Sequence, residues 1–163
     1  MRTASRKRIA LAGAAATLTL AGTTVALATP PSGENLTPLA RGQLVTPAKI
    51  NAKVGSGRVK IQTQGALDAL IAQDTLAPGG TGGWHKHAGP HITIVTQGTL
   101  TIIDAKCKRH DLPTGHAIID SGGSVDKPEN RGSTPVVFYV TFLVPHNVTS
   151  PRIDEPAPAR CTA

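Results

Sequence analysis

Short apolar runs broken by turn residues dominate the chain from Leu39 onward. Their spacing predicts strands over 39–45, 58–64, 69–76, 91–97, 99–104, 116–120, 125–130 and 135–144, because each run is β-branched or alternates apolar with polar residues. Between them lie VGSG, APGGTGG, TQG, LPTG, SGG and ENRGSTP, which hold the Gly, Pro, Asn and Ser that tight turns require. No stretch of this region sustains the i, i+3, i+4, i+7 apolar spacing of a long helix. Many short strands without helical crossovers predict an all-β fold, an antiparallel sandwich or barrel.

Alternation also assigns faces. Over 91–97, His91, Thr93 and Val95 share one side, and Ile92, Ile94 and Thr96 share the other. The run from Val136 to Val144 is apolar on both faces, as in a strand covered on both sides. In so small a domain the second cover is expected to be the segment before Leu39 or another subunit, and in the second case the chain would be a homodimer.

The first 38 residues follow another pattern. Arg2, Arg6, Lys7 and Arg8 precede a charge-free run from Ile9 to Ala28 that ends in Ala26, Leu27 and Ala28. This is the layout of an export signal over residues 1–28, with cleavage before Thr29; the run also has the length of an uncleaved membrane anchor. Residues 29–38, TPPSGENLTP, hold three prolines and few apolar groups, so they are expected to form a flexible lead-in. The barrel is then expected over 39–146, with 147–163 as a C-terminal tail.

Charge divides the same way. Of the net +7, four cations and no acid belong to residues 1–28, which leaves +3 on the chain from Thr29. With one Trp, one Tyr and two Phe, that part lacks the aromatic stacking surface of single-stranded nucleic acid binders, so nucleic acid is not expected as a partner. A secreted or extracytoplasmic, cell-envelope location is expected, without stable membrane association once the signal is removed. The only cysteines are Cys107 and Cys161, and under oxidising conditions they are expected to pair. Such a bond would tie the tail to the domain and stabilise the fold by roughly 4 kcal/mol.

The stretch GGTGGWHKHAGPHITIVTQG, residues 79–98, carries the candidate chemistry. His85 and His87 are two apart, so on an extended strand both rings point the same way, and His91 shares their parity. Three converging imidazoles suit a divalent transition metal such as Fe, Mn, Ni, Cu or Zn. The competing reading is a glycine-rich loop with exposed histidines. Trp84 is expected to pack at a strand edge; His116 and Asp120 have a parity that would let them support the site, and His110 and His146 lie away from it. No Gly-x-Ser-x-Gly elbow surrounds Ser121 or Ser124, and there is no phosphate-binding loop, dinucleotide fingerprint or zinc-ribbon spacing.

Gly79, His85, His87, position 91 and Gly98 fit the spacing of the first cupin motif, in which a glycine and five residues precede His-x-His, then Glu, then Gly. His91 stands where that motif has Glu. Ser121, Gly123, Asp126 and Asn130 align with the second motif, with Asp126 in place of its histidine and Ser121 in place of its proline. The closing run TPVVFYVTFLVP is similar to the strand that follows this motif in small single-domain cupins. The resemblance covers roughly residues 58–145. It implies an antiparallel jelly-roll barrel holding a metal on three His and one carboxylate, here His85, His87, His91 and Asp126. The substitutions are reciprocal, so the ligand set keeps its composition. Asp126 is shorter than the histidine it replaces, and its alternative partners are Lys127 and Arg131.

Three readings stand. The chain is a metal-dependent cupin enzyme of the dioxygenase or isomerase type, a module that binds metal or a small molecule without turnover, or a structural barrel with a metal-free site. A Glu on the interior of the matched region would favour the enzyme, and alternation provides none, because Glu129 faces opposite to Asp126.

Overall fold

The computed structural model describes residues 27–45 and 48–162. The expected export signal lies outside the described residues except for its last two positions. Described strands are β1 (Ser32–Gln43), β2 (Lys49–Val54), β3 (Gly57–Gln62), β4 (Leu67–Thr81), β5 (His85–His87), β6 (His91–Gln97), β7 (Thr99–Asp104), β8 (Arg109–Pro113), β9 (Ala117–Asp120), β10 (Asp126–Glu129), β11 (Val136–Pro145) and β12 (Arg152–Asp154). A single 3-10 turn, Ala159–Cys161, follows them. Among the described residues no helix is long and apolar enough to cross a membrane.

Every strand pairing is antiparallel. One wall runs β1-β4-β11-β6-β9, and the other runs β8-β7-β10-β5-β12. The far end of β4 joins the walls: Thr81 pairs with Glu129 of β10, and backbone bonds nearby run from Gly79 N to Asn130 O at 3.0 Å and from Asn130 N to Gly80 O at 2.9 Å. The result is a nearly closed antiparallel barrel, as the alternation and the turn spacing predict.

Alternation decides what enters the barrel. On β4, Leu70, Ala72, Asp74 and Leu76 are buried while Ile71 is exposed; on β11, Val136, Phe138, Val140, Phe142 and Val144 are buried. With Val95, Leu100 and Leu112 these form one continuous core. Asn130, 2% exposed, fastens its rim. Its amide donates to the Leu76 carbonyl at 2.9 Å and the Thr134 carbonyl at 2.8 Å, and its oxygen accepts from Gly132 N at 3.0 Å. Both amide donors and the amide oxygen thus find partners locally, which explains an Asn in an apolar interior.

Three expectations need correction. The segment 29–38 is not a free lead-in: from Ser32 it is strand β1, paired with β4 as far as Gln43. Its prolines and exposed side chains hide the strand from a periodicity reading, yet an edge strand tolerates both, and Pro38 sits at a register irregularity where no ladder bond is needed. That strand extends the sheet instead of covering the outer face of β11, so Tyr139 there is 37% exposed. The barrel also reaches past residue 146, because β12 pairs with β5. Cys107, in the turn after β7, is bonded to Cys161, which ties the tail down as expected.

Candidate metal and ligand site

The three histidines meet in the barrel interior from its two walls. His85 and His87 lie on β5, and His91 opens β6 after the tight link Ala88-Gly89-Pro90. Glycine is required in this region. A Cβ on Gly122, whose φ is +87°, would lie inside the van der Waals envelope of the Gly89 carbonyl, and one on Gly89 would strike the Leu143 carbonyl. His87 N donates to Gly122 O at 2.7 Å, so the loop carrying the second-motif residues is stitched directly to the histidine strand.

His85 is 4% exposed and His91 6%. His85 Nδ1 donates to the Gly83 carbonyl at 3.0 Å, which leaves its Nε2 with a free lone pair. The Nδ1 atoms of His87 and His91 are buried without a hydrogen-bond partner. The rings stack edge to face, with centroids 4.8 Å apart for His85 and His87 and 4.4 Å for His87 and His91. Phe142 closes the stack 5.0 Å from His87. Burial and the Arg152 charge push His85 down to about 4; burial, with His91 and His85 alongside, pushes His87 down to about 3. Burial also lowers His91. All three are therefore neutral imidazoles at ordinary pH, the form that ligates metals.

Asp126 lies opposite His85 in the strand register. It makes no ion pair with Lys127 or Arg131, which instead bind Glu129 at 2.6 and 3.3 Å. Burial, then the nearby Asp120, pushes Asp126 up to about 7. Asp120 pairs with His91 in the register and accepts from Gly122 N at 2.6 Å. His116 is exposed. His110 contacts Asp104 at 3.1 Å and His146 contacts Asp68 at 2.7 Å, both away from the cavity. Trp84 is 4% exposed, packed in the interior with Lys127 over its ring.

The donor set suits a borderline divalent ion in kind: neutral imidazoles, free ring nitrogens and an adjacent carboxyl. Its placement does not yet form a ligand cage, since among the described residues no three His, Cys, Asp or Glu side chains are arranged to hold a metal ion. The imidazoles are stacked against one another instead.

A second cluster lines the same cavity, and the sequence reading passed over it. Glu34 of β1, Asp74 of β4 and Arg152 of β12 face the interior with the histidines. Arg152 Nη1 lies 3.3 Å from Glu34 Oε2, its Nε lies 2.5 Å from Asp154, and it also donates to the Gly82 carbonyl. Asp74 is 5% exposed, and its Oδ1 has no partner. Burial, with Glu34 beside it, pushes Asp74 up to about 7; burial also raises Glu34, against the opposing pull of Arg152. The two carboxyls thus share a proton at ordinary pH. One signal was available: Asp74 occupies an inward position between Ala72 and Leu76, where a charged residue needs a reason.

The two clusters lie along the barrel. Leu70, Phe142 and His91 form one cross-strand row, and Asp74, Phe138 and Val95 form another. These rows are four residues apart on β4, about 13 Å of strand. The cavity between them is about 60 Å³, room for roughly four water molecules, and Leu100, Ile102, Phe138 and Val140 give it apolar walls.

A family profile described as Cupin domain matches residues 73–142. No curated protein matches the chain. Among solved structures, it is similar to the cupin domain of an XRE family transcriptional regulator from Enterobacter cloacae, at 19% identity, covering 47% of this chain and 80% of that one, with a TM-score of 0.41. A cupin domain from Bordetella pertussis Tohama I matches at 18% identity, covering 61% of this chain and 97% of that one, with a TM-score of 0.42. An oxalate oxidase in complex with the substrate analogue glycolate matches at 22% identity, covering 52% of this chain and 45% of that one, with a TM-score of 0.43. The matched segment runs from the middle of β4 to Phe142 of β11 and contains all three cavity histidines and Asp126; over residues 73–142 this chain carries a cupin domain.

Proposed function

We propose that this chain is an exported cupin that binds a divalent transition metal, one of Fe, Mn, Ni, Cu or Zn, inside the barrel and acts there on a small molecule. His85, His87 and His91 would hold the ion, with Asp126 beside them. The observation that carries this reading is the pair of buried, partnerless Nδ1 atoms on His87 and His91. A buried polar atom left unsatisfied costs about 1–3 kcal/mol, and coordination is one way to recover it. A bound ion would supply Lewis acidity and open positions for substrate or dioxygen, which suits dioxygenase-type oxidation or isomerisation.

The rest of the cavity supports chemistry on a small substrate. Asp74 and Glu34 hold one proton between them at its far end, and Arg152 answers the remaining charge. The apolar walls keep bulk water out, so that proton stays available to a bound molecule. A volume of about 60 Å³ restricts the ligand to a few non-hydrogen atoms. Export rests on the basic, then apolar, N-terminal run, and the Cys107–Cys161 bond is compatible with it.

A second reading, small-ligand binding without metal, is favoured by the edge-to-face stacking of the rings. Elemental analysis of the chain purified without chelator, beside a His85→Ala, His87→Ala double variant, separates the two. Near-stoichiometric metal that disappears in the variant supports the metal site. Protein that stays metal-free after exposure to each of the five ions leaves the second reading.

A further inference from the structure

The β2–β3 hairpin is set apart from the barrel. Its strands pair with each other and with no strand of either wall. The register places Ile50 opposite Ile61 and Ala52 opposite Val59, with Val54 and Gly57 continuing that face. The other face holds Lys49 opposite Gln62, Asn51 opposite Lys60, and Lys53 opposite Arg58. Strict alternation over both strands thus gives one wholly apolar face and one polar face with four cations. Residues 49–62 contain no acid.

Among the described residues, the apolar face stays open. Val54 is 60% exposed, Ile50 47%, Val59 43% and Ile61 41%, and none of them joins the barrel core. A two-stranded hairpin is at best marginally stable by itself in water, so exposing an aligned apolar row on one is costly. Some occupant must return that cost.

Area and charge choose among occupants. A two-stranded face six residues long measures about 10 Å by 20 Å, roughly a quarter of the 800 Å² that each partner of a stable protein dimer contributes. A second copy would also add another segment with four cations and no acid. A soluble polyanion would need only the cationic face and would leave the apolar row in water. An anionic bilayer surface uses both: apolar side chains enter the boundary between headgroups and acyl chains, and Lys and Arg extend their stems to reach the headgroups.

We propose that the β2–β3 hairpin docks this protein onto anionic lipid bilayers, with Ile50, Val54, Val59 and Ile61 entering the interface and Lys49, Lys53, Arg58 and Lys60 drawing it to acidic headgroups. The hairpin brings the barrel to the membrane surface without spanning it. This assignment is independent of the metal site.

An environment-sensitive dye on Ala52→Cys in the full chain, with the Cys107–Cys161 bond intact, reads the hairpin alone, so the apolar run from Ile9 to Ala28 does not contribute to the signal. The expected result is a blue shift on vesicles of one part phosphatidylglycerol to three parts phosphatidylcholine, absent on pure phosphatidylcholine and reduced in high salt. Each cation replaced, as in Lys53→Gln or Lys60→Gln, should weaken binding about fivefold. Ile61→Ser with Val59→Ser should abolish the shift while thermal unfolding of the barrel stays unchanged. No shift on acidic vesicles overturns the proposal. So does a shift that grows with protein concentration alone, which assigns the face to a second copy, or an equal shift with soluble polyphosphate.

Discussion

Replacing Asp74 with Asn should stabilise the protein at alkaline pH and leave it unchanged in acid. Asp74 is buried beside Glu34 and keeps its proton up to about pH 7 in the folded state, whereas in the unfolded chain it ionises near its ordinary value of about 3.9. Its folded affinity for the proton is therefore raised. The stability linked to that proton is complete below about pH 4 and is lost as pH rises toward 7. At roughly 1.4 kcal/mol for each tenfold change in proton affinity, the full loss is about 4 kcal/mol. Asn has nearly the same shape and can donate to Glu34 permanently, as protonated Asp74 does, so it removes the loss. Urea unfolding of wild type and Asp74→Asn at pH 4, 6 and 8 measures the effect. The two proteins should agree at pH 4 and diverge by about 4 kcal/mol, with the variant more stable, at pH 8. Parallel pH profiles, or a variant that is weaker at pH 8, would refute the shared-proton reading of Glu34 and Asp74.

Three shorter expectations follow from other parts of the barrel. Reduction of the Cys107–Cys161 bond, which spans a sequence separation of 54, should cost roughly 4 kcal/mol and lower the thermal midpoint by roughly 10 °C; an unchanged midpoint would deny the bond. His87→Phe should raise the midpoint in chelator, because it removes a buried Nδ1 without a partner and packs against Phe142; a fall would mean that the imidazole itself is a structural partner. The outer wall carries a register-aligned row of Ala40, Ile71, Thr141, Ile92 and Ile119 without a charge, so light scattering should give a dimeric mass that Ile92→Lys halves, and a monomeric wild type would remove this interface.

The parts of the fold that were legible in the sequence are those where one face is wet and the other dry. Strands β6 and β7 occupy the ranges read from the sequence, and β11 is shifted by one residue; burial follows the pleat on β6 and β11, whereas on β7, where the adjacent Leu100 and Thr101 are both buried, the TQG turn marks the strand. Strand β1 carries no such imprint: its side chains are nearly all exposed, and its backbone bonds to β4 hold it. Strand β12 is three residues long, too short for any period. The site divided likewise. His85, His87 and His91 stand within seven positions of one another: parity sets His85 and His87 on one face of β5, and the short Ala88-Gly89-Pro90 link carries the chain to β6 on the other wall, where His91 also lines the cavity. Glu34, Asp74 and Arg152 are brought together only by pairing across β1, β4, β10, β5 and β12, which local spacing does not reveal. Glu34 was the interior glutamate that the matched region lacked.

The two halves of the cavity oppose each other in their effect on stability. His85 and His87 have folded affinities for the proton lowered to about 4 and about 3, so the stability linked to them is present above about pH 6.5 and is lost as pH falls through that value. His91 moves in the same direction. Asp74 and Asp126 are raised to about 7, and Glu34 is raised as well, so the stability linked to these carboxyls is present in acid and is lost as pH rises. Between about pH 4 and 6.5 an unfolding chain takes up protons on its histidines and releases them from its carboxyls. Within this window His85 and His87 tilt the stability curve one way and Asp74 and Asp126 the other, each by about 1.4 kcal/mol per pH unit, so these four groups nearly cancel. Asp74→Asn removes one carboxyl from this balance, and the variant should lose stability on acidification through this range more steeply than the wild type. The interior is thus neutral group by group, apart from the Glu34 carboxylate answered by Arg152. A small ligand entering it meets neutral imidazoles at one end and a carboxyl that can still donate at the other.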